Sequence, residues 1–367
     1  MCRAENATSQ SKDVKYKNEF KATKDCSILR YCTGMALASL FSFTYVVAPV
    51  WIFLSAAYLI TSPFSQDAWL FSLPVFLSMM INPPQIPWIM QYMVPILDYF
   101  KYEDIMEVSN DEIFDLVNNK KKRIIFAATP HGVVSFGFSV GLYPSCSSSF
   151  DRACTHGISL WTQFSYGAVC RAIAEPYEMK VLKTAVAPGV QYVPFVRNIV
   201  GIFGFVSASA ASLKRHFKNE GIAGCVVIYV GGMAELFQCS RDEERLYLSK
   251  RKGFIKLALR EGVEVVPVYF FGNTSALSIL KAPPLAYLSR KLQVSVTLIW
   301  GRFGLPIPRD DKIMCVVGRP LGIPHIENPT DTDVNKWHSK YCCEVQRLFD
   351  KYREKAPLYK DKELYIT

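Results

Sequence analysis

The chain has 367 residues, 50% of them hydrophobic, and 42 Lys+Arg against 32 Asp+Glu give it a formal charge of +10. A slightly positive mean hydropathy argues against an enzyme wetted on all sides and for membrane contact. The basic balance suits phospholipid head groups or a phosphorylated cofactor, whereas nucleic acid is excluded as a partner because no recognition helix, zinc-finger spacing or RNP-like motif is present.

Residues 1–30 hold seven Lys/Arg and four Asp/Glu and read as a mobile polar arm. The apolar run starts too late for a cleaved signal peptide. Residues 31–97 form a hydrophobic segment in which Asp67 is the only charge. Met35–Ile60 meets the roughly 20 apolar residues a bilayer crossing needs. The following run, Ala68–Leu97, is interrupted by Pro74, Pro83, Pro84, Pro87 and Pro95 and reads as a second span or a re-entrant segment. The short linker Thr61–Gln66 predicts a hairpin with both ends on one side. Lysines before it and Lys120-Lys121-Lys122-Arg123 after it put both termini in the cytosol. Asn6-Ala7-Thr8 is a sequon that such a topology leaves unglycosylated.

Residues 98–367 read as one α/β catalytic domain. Asp111–Asn119 predicts a short amphipathic helix and Arg123–Thr129 a strong strand. Val133–Leu142 predicts a helix, followed by a Cys/Ser-rich loop at Ser145–Ser149. Further helices are predicted at Ser207–Asn219, at Lys250–Glu261 with Gly262 as its C-cap, and at Val334–Arg353. Further strands are predicted at Cys225–Val230, Val263–Phe271, Val294–Trp300 and Ile313–Val317. Pro267 argues for an edge position or a bulge in the third of the buried strands. The alternation predicts a mixed, largely parallel sheet flanked by helices.

Three stretches can carry chemistry. Pro130-His131-Gly132 ends the first buried strand. An imidazole there can take the proton of an alcohol as it attacks a thioester, and the backbone from Gly132 onward offers N–H groups to the oxyanion. The alternative is an ordinary turn histidine. Gly231-Gly232-Met233-Ala234-Glu235 follows a second buried strand, and Glu235 could hold the imidazole as an acid does in a triad; the alternative is a solvated glutamate. Arg251 and Lys252 open a helix and suit phosphates, or else form a surface cluster. A competing motif, Gly137-Phe138-Ser139-Val140-Gly141, matches a nucleophile elbow but sits some ten residues past the strand end; His325 or His338 would then have to be the base. The 11 cysteines lack a CxxC pair and fit reduced thiols. The 5 histidines have no metal-ligand spacing, so no metal is expected.

At these residues the chain resembles the type-2 diacylglycerol acyltransferase family, which includes monoacylglycerol and wax-alcohol acyltransferases. The family's His-Pro-His-Gly motif appears as Thr129-Pro130-His131-Gly132. Its Gly-Gly-x-x-Glu strand end appears as Gly231 to Glu235, and its Arg-Lys-Gly-Phe-x-Lys-Leu-Ala block as Arg251 to Ala258. Val266–Tyr269 with Phe271-Gly272-Asn273, and Val317–Leu321, look like further family segments. The resemblance implies a glycerolipid-acyltransferase-like fold in an endoplasmic reticulum enzyme that often meets lipid droplets. Its substrates would be acyl-CoA, as co-substrate rather than bound cofactor, and diacylglycerol. It implies a catalytic His131, Glu235 and Gly132, with Thr129, Pro130, Gly231, Gly232, Arg251, Lys252 and Asn273 at the substrates. Two positions depart from the pattern: Thr129 replaces the first histidine, and Phe136 stands where the wider group has the aspartate of His-x4-Asp. Monoacylglycerol or a long-chain alcohol as acceptor, a catalytically silent lipid-binding protein, and a homo-oligomer are the readings left open.

Overall fold

A computed structural model describes residues 27–82, 85–131, 166–175, 179, 181–186, 193–232, 235, 240–282 and 298–367. Most of the polar arm, Gly132, the helix expected at Val133–Leu142, the Ser145–Ser149 loop, the elbow motif and most of Val294–Trp300 lie outside these residues.

The apolar segment folds as helix α1 (Ile28–Thr61) and helix α2 (Gln66–Met80), each opened by a serine cap, Ser27 and Ser65. At 34 residues, α1 is about 51 Å long and is long and apolar enough to cross a membrane. At 15 residues, α2 reaches only about 22 Å, less than a hydrocarbon layer of about 30 Å. The prolines decide this. After α2 the chain breaks into a 3₁₀ stretch, Pro87–Met93, and the short helix α3 (Pro95–Tyr99), each starting on a proline.

One side of α1 carries small residues every fourth position, Gly34, Ala38 and Ser42, and packs onto the rest of the chain. A Cβ on Gly34 would overlap the Pro95 carbonyl. The Tyr166 hydroxyl donates to Ala38 O at 2.9 Å and bonds Ser42. Phe41 meets Phe203 at 5.8 Å, and Trp51 meets Phe195 at 5.4 Å. The opposite side is an uncovered apolar belt that includes Leu40, Val47, Val50, Phe53 and Leu54, continued on α2 by Trp69, Leu70, Phe76 and Leu77.

The remainder is an α/β unit. Its strands are β1 (Glu103–Met106), β2 (Ile124–Thr129), β3 (Lys183–Val186), β4 (Phe205–Ser207), β5 (Val226–Tyr229), β6 (Glu244–Leu246), β7 (Glu264–Phe271), β8 (Ser278–Ile279), β9 (Ile299–Trp300), β10 (Met314–Val317) and β11 (Leu364–Ile366). Its helices are α4 (Asn110–Phe114), α5 (Tyr166–Ala174), α6 (Val196–Phe203), α7 (Ala210–His216), α8 (Gly253–Glu261) and α9 (Asp331–Tyr352). Among the described residues, seven strands form one sheet in the order β1-β10-β7-β2-β5-β3-β4. Every pairing in it is parallel except β10 with β7. The central strands β2 and β7 are buried at every residue, as their unbroken apolar runs require of a sheet covered on both faces. One face carries a core that includes residues of α1, α3, α5 and α6; the other carries a core built with α7, α8 and α9.

Several expected boundaries shift for local reasons. Ser207 still belongs to β4, and the following helix starts at Ala210 under a Ser209 cap. Lys250–Lys252 precede α8 rather than open it, because the Arg251 N–H turns back to Leu248 O. Gly262 closes α8 at φ +64°, as the sequence led one to expect. Pro267 is neither at an edge nor in a bulge: it sits opposite Ala127 in the middle of the sheet. Its carbonyl accepts from Gly318 N, so its ring nitrogen faces Gly318, the residue just past the end of β10.

Candidate active site

The order β7-β2-β5 brings three of the sequence motifs to one edge of the sheet, beyond the carboxyl ends of three adjacent parallel strands. This is where open α/β sheets place ligands. His131 follows β2, Gly231-Gly232 follow β5, and Asn273 follows β7.

His131 is fully buried. Its main chain is held from two directions. Its N–H donates to Glu235 Oε2 at 2.6 Å. The Asn273 side-chain amide donates to Pro130 O at 2.9 Å and to His131 O at 3.0 Å. The His131 ring lies edge-on to Tyr229 at 5.2 Å, and Tyr229 in turn stacks on Phe270 at 6.0 Å. Tyr229 and Phe270 belong to the core on the α1 face. The ring is therefore placed on the side of the sheet that the long apolar helix covers.

The double glycine has two separate causes. Gly232 has φ +62°, the left-handed region. At Gly231 an added Cβ would overlap the carboxyl of Glu235, so the missing side chain is what lets Glu235 fold back onto the strand end. Glu235 is fully buried, and burial pushes its carboxyl up to about 8. The His131 and Tyr247 N–H groups and Arg251 pull it down, while Glu244 pushes it up. The hydrogen bond that joins Glu235 to His131 runs to the peptide N–H, where the sequence reading had placed it at the ring.

Arg251 and Lys252 are neighbours in sequence with different surroundings. Arg251 lies over the Tyr247 ring at 5.3 Å and attracts Glu235. Lys252 Nζ donates to Asn335 Oδ1 at 2.7 Å. An open cleft of about 330 Å³, lined by Lys252, Gly253, Lys256, Asp331, Val334 and Asn335, lies where α8 and α9 begin. Thr129 is fully buried at the end of β2. His338 Nε2 and His325 Nε2 lie 3.0 and 2.9 Å from the Leu248 and Arg260 carbonyls. Sequence reasoning missed Tyr229, Glu244 and Tyr247. Only Tyr229, at the end of a recognised strand, carried a signal that could have found it.

The diacylglycerol acyltransferase family model matches residues 96–367. Diacylglycerol O-acyltransferase 2 of Dictyostelium discoideum is 29% identical over 330 residues, 79% of this chain and 90% of that protein. Acyl-CoA wax alcohol acyltransferase 2 of Mus musculus is 31% identical over 189 residues, 48% of this chain and 56% of that one. 2-Acylglycerol O-acyltransferase 3 of Homo sapiens is 30% identical over 248 residues, 64% of this chain and 65% of that one. No solved structure matches the chain significantly. Covering the whole α/β unit and carrying the motifs that meet at its strand ends, the match places this chain in the diacylglycerol acyltransferase family.

Proposed function

We propose that the chain is a membrane-bound O-acyltransferase that makes triacylglycerol from diacylglycerol and acyl-CoA, with a glycerolipid-acyltransferase-like fold. The observation that carries this reading is a buried His131, gripped through its main chain by Glu235 and Asn273, with its ring on the face covered by α1. His131 takes the proton from the acceptor hydroxyl as that oxygen attacks the thioester carbonyl. Main-chain N–H groups from Gly132 onward stabilise the tetrahedral oxyanion. Its collapse breaks the carbon–sulfur bond, and the imidazolium returns the proton to the departing thiolate. Glu235 fixes where the imidazole stands by holding its peptide group. Thr129, Pro130, Gly231 and Gly232 shape the turn around the reacting groups.

Lys252 and Lys256 in the cleft at the start of α8 bind coenzyme A phosphates, and Arg251 keeps Glu235 in place. Diacylglycerol enters from the bilayer along the α1 face. The hairpin α1–α2 enters the endoplasmic reticulum membrane from the cytosolic side and turns back without crossing it, which keeps both termini cytosolic and gives access to lipid droplets. A second reading keeps the chemistry and changes the acceptor to monoacylglycerol or a long-chain alcohol, favoured by relatives named for those acceptors.

The test is a microsomal assay with labelled acyl-CoA and a panel of three acceptors. Triacylglycerol as the main product, lost in His131→Ala, supports the reading. A His131→Ala variant with wild-type synthesis overturns the mechanism, and a preference for another acceptor selects the second reading.

A further inference from the structure

We propose that Glu244, on β6, is a positioning residue that secures the Asn273 grip on His131, and that β11 holds β6 in place; this rests on His131 being the base. Glu244 is fully buried, and the mechanism gives it no task. Its Oε1 accepts from the Tyr269 hydroxyl at 3.1 Å and its Oε2 from the Thr274 hydroxyl at 3.0 Å. Thr274 directly follows Asn273, whose amide bonds the carbonyls of Pro130 and His131. The same turn is pinned at its start, where Gly272 N donates to the Tyr359 hydroxyl at 2.9 Å. That hydroxyl also bonds Thr274 Oγ1 at 3.0 Å. Glu244 therefore secures the Asn273 grip.

At three residues, β6 is too short to hold itself. Among the described residues its strand partner is β11, in a parallel register of Glu244 with Leu364, Arg245 with Tyr365 and Leu246 with Ile366. The ladder continues as Leu248 N and Ser249 N donate to Thr367 O at 3.0 Å each, and Thr367 N donates to Leu246 O at 2.8 Å. Lys362, over the Tyr359 ring at 4.4 Å, supplies the positive charge facing Glu244. A displacement of about 1 Å in a reacting group costs about 100-fold in rate, so a support this far from the substrates still reads out in turnover.

The test uses the full chain in lipid nanodiscs, with Thr274→Val, Thr274→Ser, Tyr359→Phe and His131→Ala assayed side by side. Thr274→Val takes a donor from a buried carboxyl. It is expected to lower kcat about 10-fold or more while KM for acyl-CoA stays within about 2-fold. Thr274→Ser, which keeps the hydroxyl, restores kcat, and Tyr359→Phe gives a smaller loss of the same kind. Wild-type kcat in both Thr274→Val and Tyr359→Phe overturns the proposal. So does a kcat loss that only tracks a fall in folded protein measured by thermal melting. If His131→Ala stays active, the base reading fails. If it is inactive while the other variants turn over normally, only the role of Glu244 fails.

Discussion

His131 and Glu235 are joined through the peptide N–H of one and Oε2 of the other, 2.6 Å apart, and the room for that bond comes from a third residue, Gly231. A carboxyl in this place governs where the imidazole stands.

Gly231→Ala is the direct probe of that arrangement. Its Cβ would occupy the space of the Glu235 carboxyl. The expected result is an acyltransferase rate down about 10-fold or more. Kinetics on purified protein beside a melting curve check this, since the claim concerns turnover at near-normal stability.

Stability should fall as pH rises from acid toward neutral. Burial lifts Glu235 to about 8 and Glu244 to about 7, against 4.5 for a free glutamate. The folded chain keeps protons that the unfolded chain has released over that window, so the two groups favour folding most below about 4.5 and progressively less up to about 8. The slope due to these two carboxyls is read in melting temperature from about pH 5 to pH 8, against an opposite contribution from His216 and His338, which burial lowers from 6.5. Glu235→Gln should flatten that slope, because an amide has no proton to lose.

Glu107 acts with the opposite sign. Burial would raise its carboxyl, but Arg347 and Lys351 hold it down at about 2. Arg347 Nη2 and Lys351 Nζ lie 2.5 and 2.9 Å from its oxygens, and the Tyr352 hydroxyl donates at 3.0 Å. Its contribution is complete above about 4.5 and disappears as pH falls through about 2. Glu107→Gln should cost about 2 kcal/mol at neutral pH, read as a lower melting temperature with the acid limb of the stability profile blunted.

Gly34→Val tests whether α1 is seated against the α/β unit. The added atoms meet the Pro95 carbonyl and Tyr99, an overpacking of about 1–3 kcal/mol. Lower thermal stability in detergent is expected. Leu40→Val, on the uncovered side of α1, should leave it unchanged.

Lys256→Ala tests the coenzyme A cleft. Loss of one charge-assisted phosphate contact should raise KM for acyl-CoA about 10-fold with little change in kcat. An unchanged KM would remove the cleft from the binding path.

Much of this chain was legible in its residues. The largely apolar stretches Ile124–Thr129 and Glu264–Phe271 announce buried strands, and both are covered along their whole length. Gly262 stops a helix and prolines divide the second apolar run, whereas the Thr330–Asp333 capping box starts α9 at Asp331, three residues before the expected Val334. Each of these effects acts within a few residues. Pro267 misled because its cost depends on what lies opposite its nitrogen, and that is set by where β10 ends.

Local chemistry by itself therefore determined the elements, their caps, the apolar anchor and the family motifs. Strand order, which no local signal encodes, decided that His131, Gly231 and Asn273 meet at one edge, although more than 100 residues separate the first from the last. It also decided that Glu235 grips a peptide N–H, that Arg251 and Lys252 part company, and that the Glu244 carboxyl meets Thr274 beside Asn273. Those are contacts between distant segments, and only the packing of one sheet between two layers of helices brings them within bonding distance.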